Sequence, residues 1–339
     1  TSFKKMLADV YTPVGIYLRL RDRFRDTILL ESTDFHAGEN SYSFIGINAV
    51  AGIEISNPSA IEFKLPGQTA ERIKLDANAE VSQLLWGFMN RFEAKEVAAG
   101  PVNIAQGLFG YTSFDAVQFF DNLTLNPSPK ERDLNEIPLM RYRLYQYVIA
   151  INHFKDELFI CENHFNGIGS EVAVIESLIK SKDVPGFPFK AVGEESSNIT
   201  DAAYIEMVKK GVASCHRGDV FQIVLSRRFE QKFIGDEFNV YRALRSINPS
   251  PYLFYFDYGD YKLMGSSPES QLIVDKGKAV VHPIAGTFKR TGDDEEDKAL
   301  AVKLENDEKE IAEHVMLVDL ARNDLSRMCT EVEVSQYKK

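Results

Sequence analysis

The order of the β-like runs limits the fold of this chain more than any single residue does. Asp26–Ser32, Tyr42–Ile55 and Ile61–Leu65 follow one another with short turns or loops, Leu139–Asn152 and Glu157–Glu162 form a second such group, and Pro13–Leu20 also alternates like a strand. Helical patterns fall between such groups: Ala77–Lys95, which holds the single tryptophan Trp86 as an expected core anchor, Ser113–Phe120, Ser170–Lys182, Thr200–His216 and Phe238–Ile247. Further short strands are expected at Asp219–Arg228, Lys262–Met264, Glu269–Val274 and Ala279–Pro283. Regular βαβ alternation and internal repeats are both missing, so the reading is α+β, with antiparallel sheets flanked by helices. No Gly-rich phosphate loop joins a strand to a helix, which gives a nucleotide-binding fold no support.

A net charge of −11, with no run of Lys or Arg longer than two, argues against nucleic acid or an anionic membrane as the main partner. Cys161, Cys215 and Cys329 have no C-x-x-C spacing and read as buried, reduced thiols of a cytoplasmic protein. The chain shows no apolar signal region and no run of about 18 apolar residues, so no membrane span is expected. Asp183–Asn198, rich in Pro, Gly and Ser, reads as a linker. It divides the chain into 1–183, 184–199 and 200–339, with the outer parts expected to form one intertwined unit.

The chemistry concentrates near the C-terminal end. Glu310, Glu313 and His314 stand three and four residues apart in a helical pattern and so share a face, beside an apolar stripe of Leu304, Ile311, Val315 and Val318. Spacing alone leaves two readings. The face is either a solvated acidic edge or part of a site for a hard divalent cation, which takes carboxylate oxygens and fills its other positions with water and substrate.

Six strings then coincide in order: L-L-E-S at Leu29–Ser32, G-D-V-F-Q-I-V-L-S-R at Gly218–Arg227, N-P-S-P-Y at Asn248–Tyr252, G-S-S-P-E at Gly265–Glu269, P-I-A-G-T at Pro283–Thr287, and D-E-K-E-I-A-E-H-V-M-L-V-D-L-A-R-N-D-L at Asp307–Leu325. Together they resemble the chorismate-utilising enzymes, in particular the large-subunit (component I) anthranilate synthases. The resemblance is loose in the first half and tight from Gly218 onward. It implies an antiparallel β-sandwich flanked by helices, with chorismate held between sheets over Mg²⁺.

What the resemblance implies can be followed residue by residue. Glu310 and Glu313 match the family's metal-ligand carboxylates, and His314 is better suited to hydrogen bonding than to Mg²⁺ ligation. Glu269 matches the proposed general acid that helps the ring hydroxyl leave. Gln222 stands where relatives that add water have a lysine base; glutamine can hold ammonia but cannot deprotonate water, which points to nitrogen chemistry. Ala285 replaces the lysine nucleophile of relatives that make 4-amino-4-deoxychorismate. Gly286 and Thr287 would lie against the substrate. Phe288 stands where the family usually has arginine, with Arg290 as the expected substitute.

A second site follows from the same resemblance. Leu30, Glu31 and Ser32 match a feedback pocket for tryptophan whose other wall is Asn248, Pro249, Tyr252, Leu253 and Phe254, with Glu31 as the partner of the ligand ammonium. The expected function is Mg²⁺-dependent amination of chorismate to anthranilate and pyruvate, the ammonia coming from a separate glutamine amidotransferase subunit. The alternatives are an aminodeoxychorismate synthase component and a non-catalytic tryptophan-binding module. In the family, further metal and substrate groups lie beyond the last residue present here. The chain is therefore expected to be truncated, inactive alone, and to expose apolar surface.

Overall fold

The computed structural model describes residues 1–32, 41–76, 79–97, 100–120 and 137–335. Residues 127–133, whose two prolines and polar side chains mark a loop in the sequence, lie outside them, as do 336–339.

The first half is built on strands β1 (Ser2–Leu7), β2 (Thr27–Glu31), β3 (Tyr42–Asn57), β4 (Ala60–Lys64), β5 (Glu71–Lys74), β6 (Phe109–Thr112), β7 (Met140–Asn152) and β8 (Glu157–Glu162). Helices α1 (Pro13–Leu20), α2 (Val81–Met89), α3 (Gly100–Ala105) and α4 (Val172–Lys180) accompany them. The second half contains β9 (Phe189–Ser197), α5 (Asp201–Arg217), β10 (Phe229–Gly235), α6 (Phe238–Ile247), β11 (Tyr252–Asp257), β12 (Lys262–Ser267), β13 (Ile273–Asp275), β14 (Lys278–Val280), α7 (Asp294–Glu305) and α8 (Glu308–Ser326). A ten-stranded antiparallel sheet runs β1-β8-β7-β3-β2-β11-β12, with β4 and β5 extending from β3 and β6 pairing with β7. Strands β11 and β12 therefore bring the second half onto the edge of the first half's sheet. The α+β antiparallel expectation holds.

Burial explains which segments became sheet. From Tyr145 to Asn152 every residue of β7 is at most 2% exposed, because β3 and β8 flank it and both faces are covered. Such a strand is apolar on both faces rather than alternating. Each large apolar side chain fully buried here is worth about 1.5–3 kcal/mol.

Several local expectations are corrected. Pro13–Leu20 is a helix, not a strand: Pro13 opens it, Thr12 Oγ1 accepts from the Gly15 amide at 3.0 Å, and Ile16, Tyr17 and Leu20 are fully buried at helical spacing. The linker stretch contains β9, which pairs antiparallel with β10, so its Pro and Gly residues punctuate a ribbon. Trp86 is 60% exposed, and Val81 and Phe88 anchor α2 in its place. Ser113–Phe120 is the short helix expected, of 3₁₀ type over Phe114–Phe119. Cys161 is buried, with its thiol pushed up to about 12 by desolvation, whereas Cys215 is exposed.

The expected strand Asp219–Arg228 has no regular structure before β10 begins at Phe229. A strand needs a neighbour to take its backbone hydrogen bonds. Among the described residues none pairs with this segment, and its Phe221 and Val224 are 93% and 86% exposed. No helix among the described residues is long and apolar enough to cross a membrane.

Candidate active site and amino-acid pocket

The acidic helix pattern resolves into two helices broken at Asn306–Asp307. Asp307 caps α8, its side chain accepting from the Lys309 and Glu310 amides at 3.1 Å each, which fixes where the face of Glu310 and Glu313 begins. Both glutamates are half-buried, and Lys309 Nζ stands 3.7 Å from Glu310 Oε1. The apolar stripe of α8 is only half-buried, and neither α7 nor α8 has a buried residue.

Three contacts assemble the candidate active site from separate segments. Gly286 of P-I-A-G-T lies directly against Glu310: a Cβ added there would fall on the Glu310 carboxylate. Any Cβ there would push the carboxylate out of this position. On the next turn of α8, Glu313 lines a cleft of about 550 Å³ together with Gln222 and Phe221 of the irregular segment and Gly211 and Cys215 of α5. Gly211 of α5 faces Ile223 and Leu225, with which a Cβ would make ordinary contacts at 3.4 and 3.5 Å. Finally, Ser270 Oγ lies 3.4 Å from His282 Nδ1, which draws the end of G-S-S-P-E toward the start of P-I-A-G-T.

Glu269, Ala285 and Thr287 do not line the cleft itself. Glu269 is exposed, its amide donating to Ser267 Oγ at 3.3 Å. Arg290 is not free for a substrate anion: its Nε donates to Asp297 at 2.9 Å, and that carboxyl is held below its usual range by the Thr291 amide and by Arg290 itself. Phe288 packs beneath Lys303 instead, with the ammonium 5.8 Å from the ring centre.

Among the described residues no group of three or more His, Cys, Asp or Glu could hold a metal ion. Two carboxylates on one helix face still fit Mg²⁺, which commonly binds one or two carboxylates and takes its other oxygens from water and substrate. His314, half-buried on the same helix, is not required for that donor set.

The second site is assembled by the sheet itself. Strands β2 and β11 pair in a register that sets Glu31 opposite Leu253 and Leu30 opposite Phe254. Residues more than two hundred positions apart in sequence thereby become neighbours. Glu31 is 4% exposed, and Oε2 accepts from the Tyr241 hydroxyl at 2.6 Å with Arg245 Nε 3.2 Å away. Burial nevertheless pushes its carboxyl above the ordinary range, outweighing both partners. Ser266 Oγ of β12 donates to the Asn248 carbonyl at 2.6 Å, tying down the start of N-P-S-P-Y. Tyr252 is 44% exposed at the rim. Ser32 and Pro249 flank these residues in sequence. The sequence reading missed Tyr241 and Arg245. Their signal was a pair four residues apart on the helix leading into N-P-S-P-Y.

Residues 55–339 match the family model described as chorismate binding enzyme. The chain is 33% identical over 329 residues to anthranilate synthase component 1 of Thermus thermophilus, covering 96% of this chain and 68% of that protein. It is 32% identical to the Saccharomyces cerevisiae protein of the same name, covering 96% of this chain and 65% of the relative. The crystal structure of anthranilate synthase component I from Streptococcus pneumoniae superposes with a TM-score of 0.63 at 27% identity, over 99% of this chain and 74% of that one. The menaquinone-specific isochorismate synthase of Escherichia coli shares the fold, with a TM-score of 0.62 at 15% identity, over 96% of this chain and 64% of that one. The chain belongs to the chorismate-binding enzymes. Within them it is similar to the component I anthranilate synthases, and it spans about two thirds of the length of the relatives quoted.

Proposed function

We propose that the chain is the chorismate-binding large subunit of an anthranilate synthase, a lyase that aminates chorismate with ammonia and releases pyruvate to give anthranilate. The observation that supports this most is the placement of Gln222 in the cleft that Glu313 lines, with Gly286 against Glu310 on the same helix. A glutamine there can hold ammonia by hydrogen bonds and supplies no base for water. Ala285, beside Gly286, offers no nucleophile for amination at the alternative ring position.

Glu310 and Glu313 would hold Mg²⁺, which when bound neutralises the substrate carboxylate. The remaining chemistry belongs to the chain's own residues. Gly286 admits its backbone to the substrate, Thr287 offers a hydroxyl, and Glu269 gives a proton to the departing ring hydroxyl. Ammonia would come from a separate glutamine amidotransferase subunit, and tryptophan would bind between Leu30–Ser32 and Asn248–Phe254 as a feedback inhibitor. Because the cleft is open and Gln222 and Glu269 are exposed, turnover by this chain alone is expected to be slow or absent.

The decisive experiment follows anthranilate fluorescence with chorismate, Mg²⁺ and excess ammonia, and titrates chorismate calorimetrically with and without Mg²⁺. Mg²⁺-dependent chorismate binding supports the reading, and aminodeoxychorismate as the product would replace it. Heat from tryptophan without any from chorismate would leave only an amino-acid-binding module.

A further inference from the structure

The stretch from Val281 to Asp293 carries P-I-A-G-T, yet it forms neither helix nor strand, so no ladder of backbone hydrogen bonds fixes its place. Side chains of the two acidic helices hold it instead. Glu310 of α8 lies against Gly286, and Lys303 of α7 stands 5.8 Å from the Phe288 ring centre. Asp297 of α7 makes three hydrogen bonds to the far end of the stretch. Its Oδ1 accepts from the Thr291 amide at 2.7 Å and from the Thr291 hydroxyl at 3.1 Å, and its Oδ2 accepts from Arg290 Nε at 2.9 Å. Thr291 Oγ1 in turn accepts from the amide of Asp293, the residue that caps α7, at 3.2 Å.

These contacts are unequal. The Arg290 side chain is 73% exposed, and an ion pair in water contributes little. Lys303 is exposed as well, which keeps its contact with the Phe288 ring weak. Asp297 differs: its side chain is 11% exposed, and one of its bonds takes hold of the loop backbone itself. We propose that Asp297 is a positioning residue of the candidate active site, fixing Thr291 on α7 and thereby seating Gly286, five residues earlier, against the Glu310 carboxylate. The inference rests on the reading of this site as the place where chorismate and Mg²⁺ meet. Asp297 does not line the cleft, so it acts only through the loop.

The arrangement gives α7 a task that its surface alone does not suggest, since it buries no residue of its own. It holds one end of the loop while α8, which follows after the break at Asn306–Asp307, presents Glu310 to the middle. A loop without a ladder keeps its place only as well as its anchors do, and a site that must hold a carboxylate to within a fraction of an ångström is sensitive to that. The three bonds also rank the variants. Asparagine at 297 keeps one oxygen for Thr291 and gives up the charge facing Arg290, whereas alanine removes every bond.

The test measures Mg²⁺-dependent chorismate binding to the full chain by calorimetry. Asp297→Ala is expected to weaken it at least tenfold and Asp297→Asn about threefold, with urea midpoints unmoved. Because both changes act on the seat of Glu310, Asp297→Ala should add less than twofold to the loss in Gly286→Ala. Unchanged affinity in Asp297→Ala, or a loss that adds in full to that of Gly286→Ala, overturns the role of Asp297 and leaves the functional reading standing. Trypsin supplies a readout that needs no substrate: cleavage after the exposed Lys289 should be at least threefold faster in Asp297→Ala than in the wild type. If the wild-type chain binds no chorismate, the functional reading fails, and an unchanged cleavage rate overturns the anchoring as well. If Asp297→Ala fails to fold, Asp297→Asn decides, and unchanged affinity and cleavage in that variant overturn the proposal.

Discussion

Strand β7 and the segment Asp219–Arg228 are both rich in apolar residues, and their fates are opposite. Between β3 and β8, β7 loses nearly all its solvent contact from Tyr145 to Asn152. Asp219–Arg228 has no strand beside it among the described residues, and its Phe221 and Val224 stay exposed. The same contrast separates α1, with Ile16, Tyr17 and Leu20 fully buried, from α8, with no buried residue at all. An apolar pattern becomes a core only where a second surface meets it. Most of the candidate active site sits on the side where that has not happened, and the proposed amino-acid pocket sits on the sheet where it has.

Stability offers the strongest way to break this comparison. Ile149→Ala, in the middle of β7, should cost about 3–4 kcal/mol by urea denaturation. Val224→Ala should stay within about 0.5 kcal/mol. Equal costs would show that the two regions are packed alike. Hydrogen exchange gives a second measure: amides of β7 should exchange on the order of a thousandfold more slowly than those of residues 219–228, which have few hydrogen bonds to break.

Smaller effects sharpen the comparison at single residues. Gly286→Ala should displace the Glu310 carboxylate and weaken Mg²⁺-dependent chorismate binding by roughly tenfold or more, since small misplacements at such sites are costly. Its urea midpoint should not move, because no core is touched; a shift in the midpoint with unchanged binding would reverse the assignment. The smallest effect is expected at Glu31. Its folded-state carboxyl is raised by burial, so the folded chain binds its proton more tightly than the unfolded chain does. Stability associated with it is present below about pH 4.3 and is lost as pH rises through the raised value. Glu31→Gln should therefore equal the wild type in acid and gain on it toward neutral pH. A constant difference across pH would show that Glu31 titrates normally.

Much of this molecule was legible in its residues because the signals were local. Thr200 ahead of α5, the long strand run ending at Asn152 and the β7–β8 turn are short-range features, and the structure keeps them. Pro13–Leu20 was misread because eight residues can match period 2 and period 3.6 at once. The Thr12 cap and the helical burial of Ile16, Tyr17 and Leu20 decided the matter. Trp86 was expected inside because large aromatic residues usually are, but α2 turns Val81 and Phe88 inward.

The sequence by itself determined the α+β class, the family resemblance and the sharing of one helix face by Glu310 and Glu313, because those depend on residue type and on fixed helical spacing. Tertiary structure alone decided the rest. Glu31 met Arg245, Gly286 met Glu310, and Gln222 met Glu313 only once sheet register and close backbone approach had brought distant segments together. Residue order says nothing about such contacts, since each depends on which surfaces find a partner to pack against.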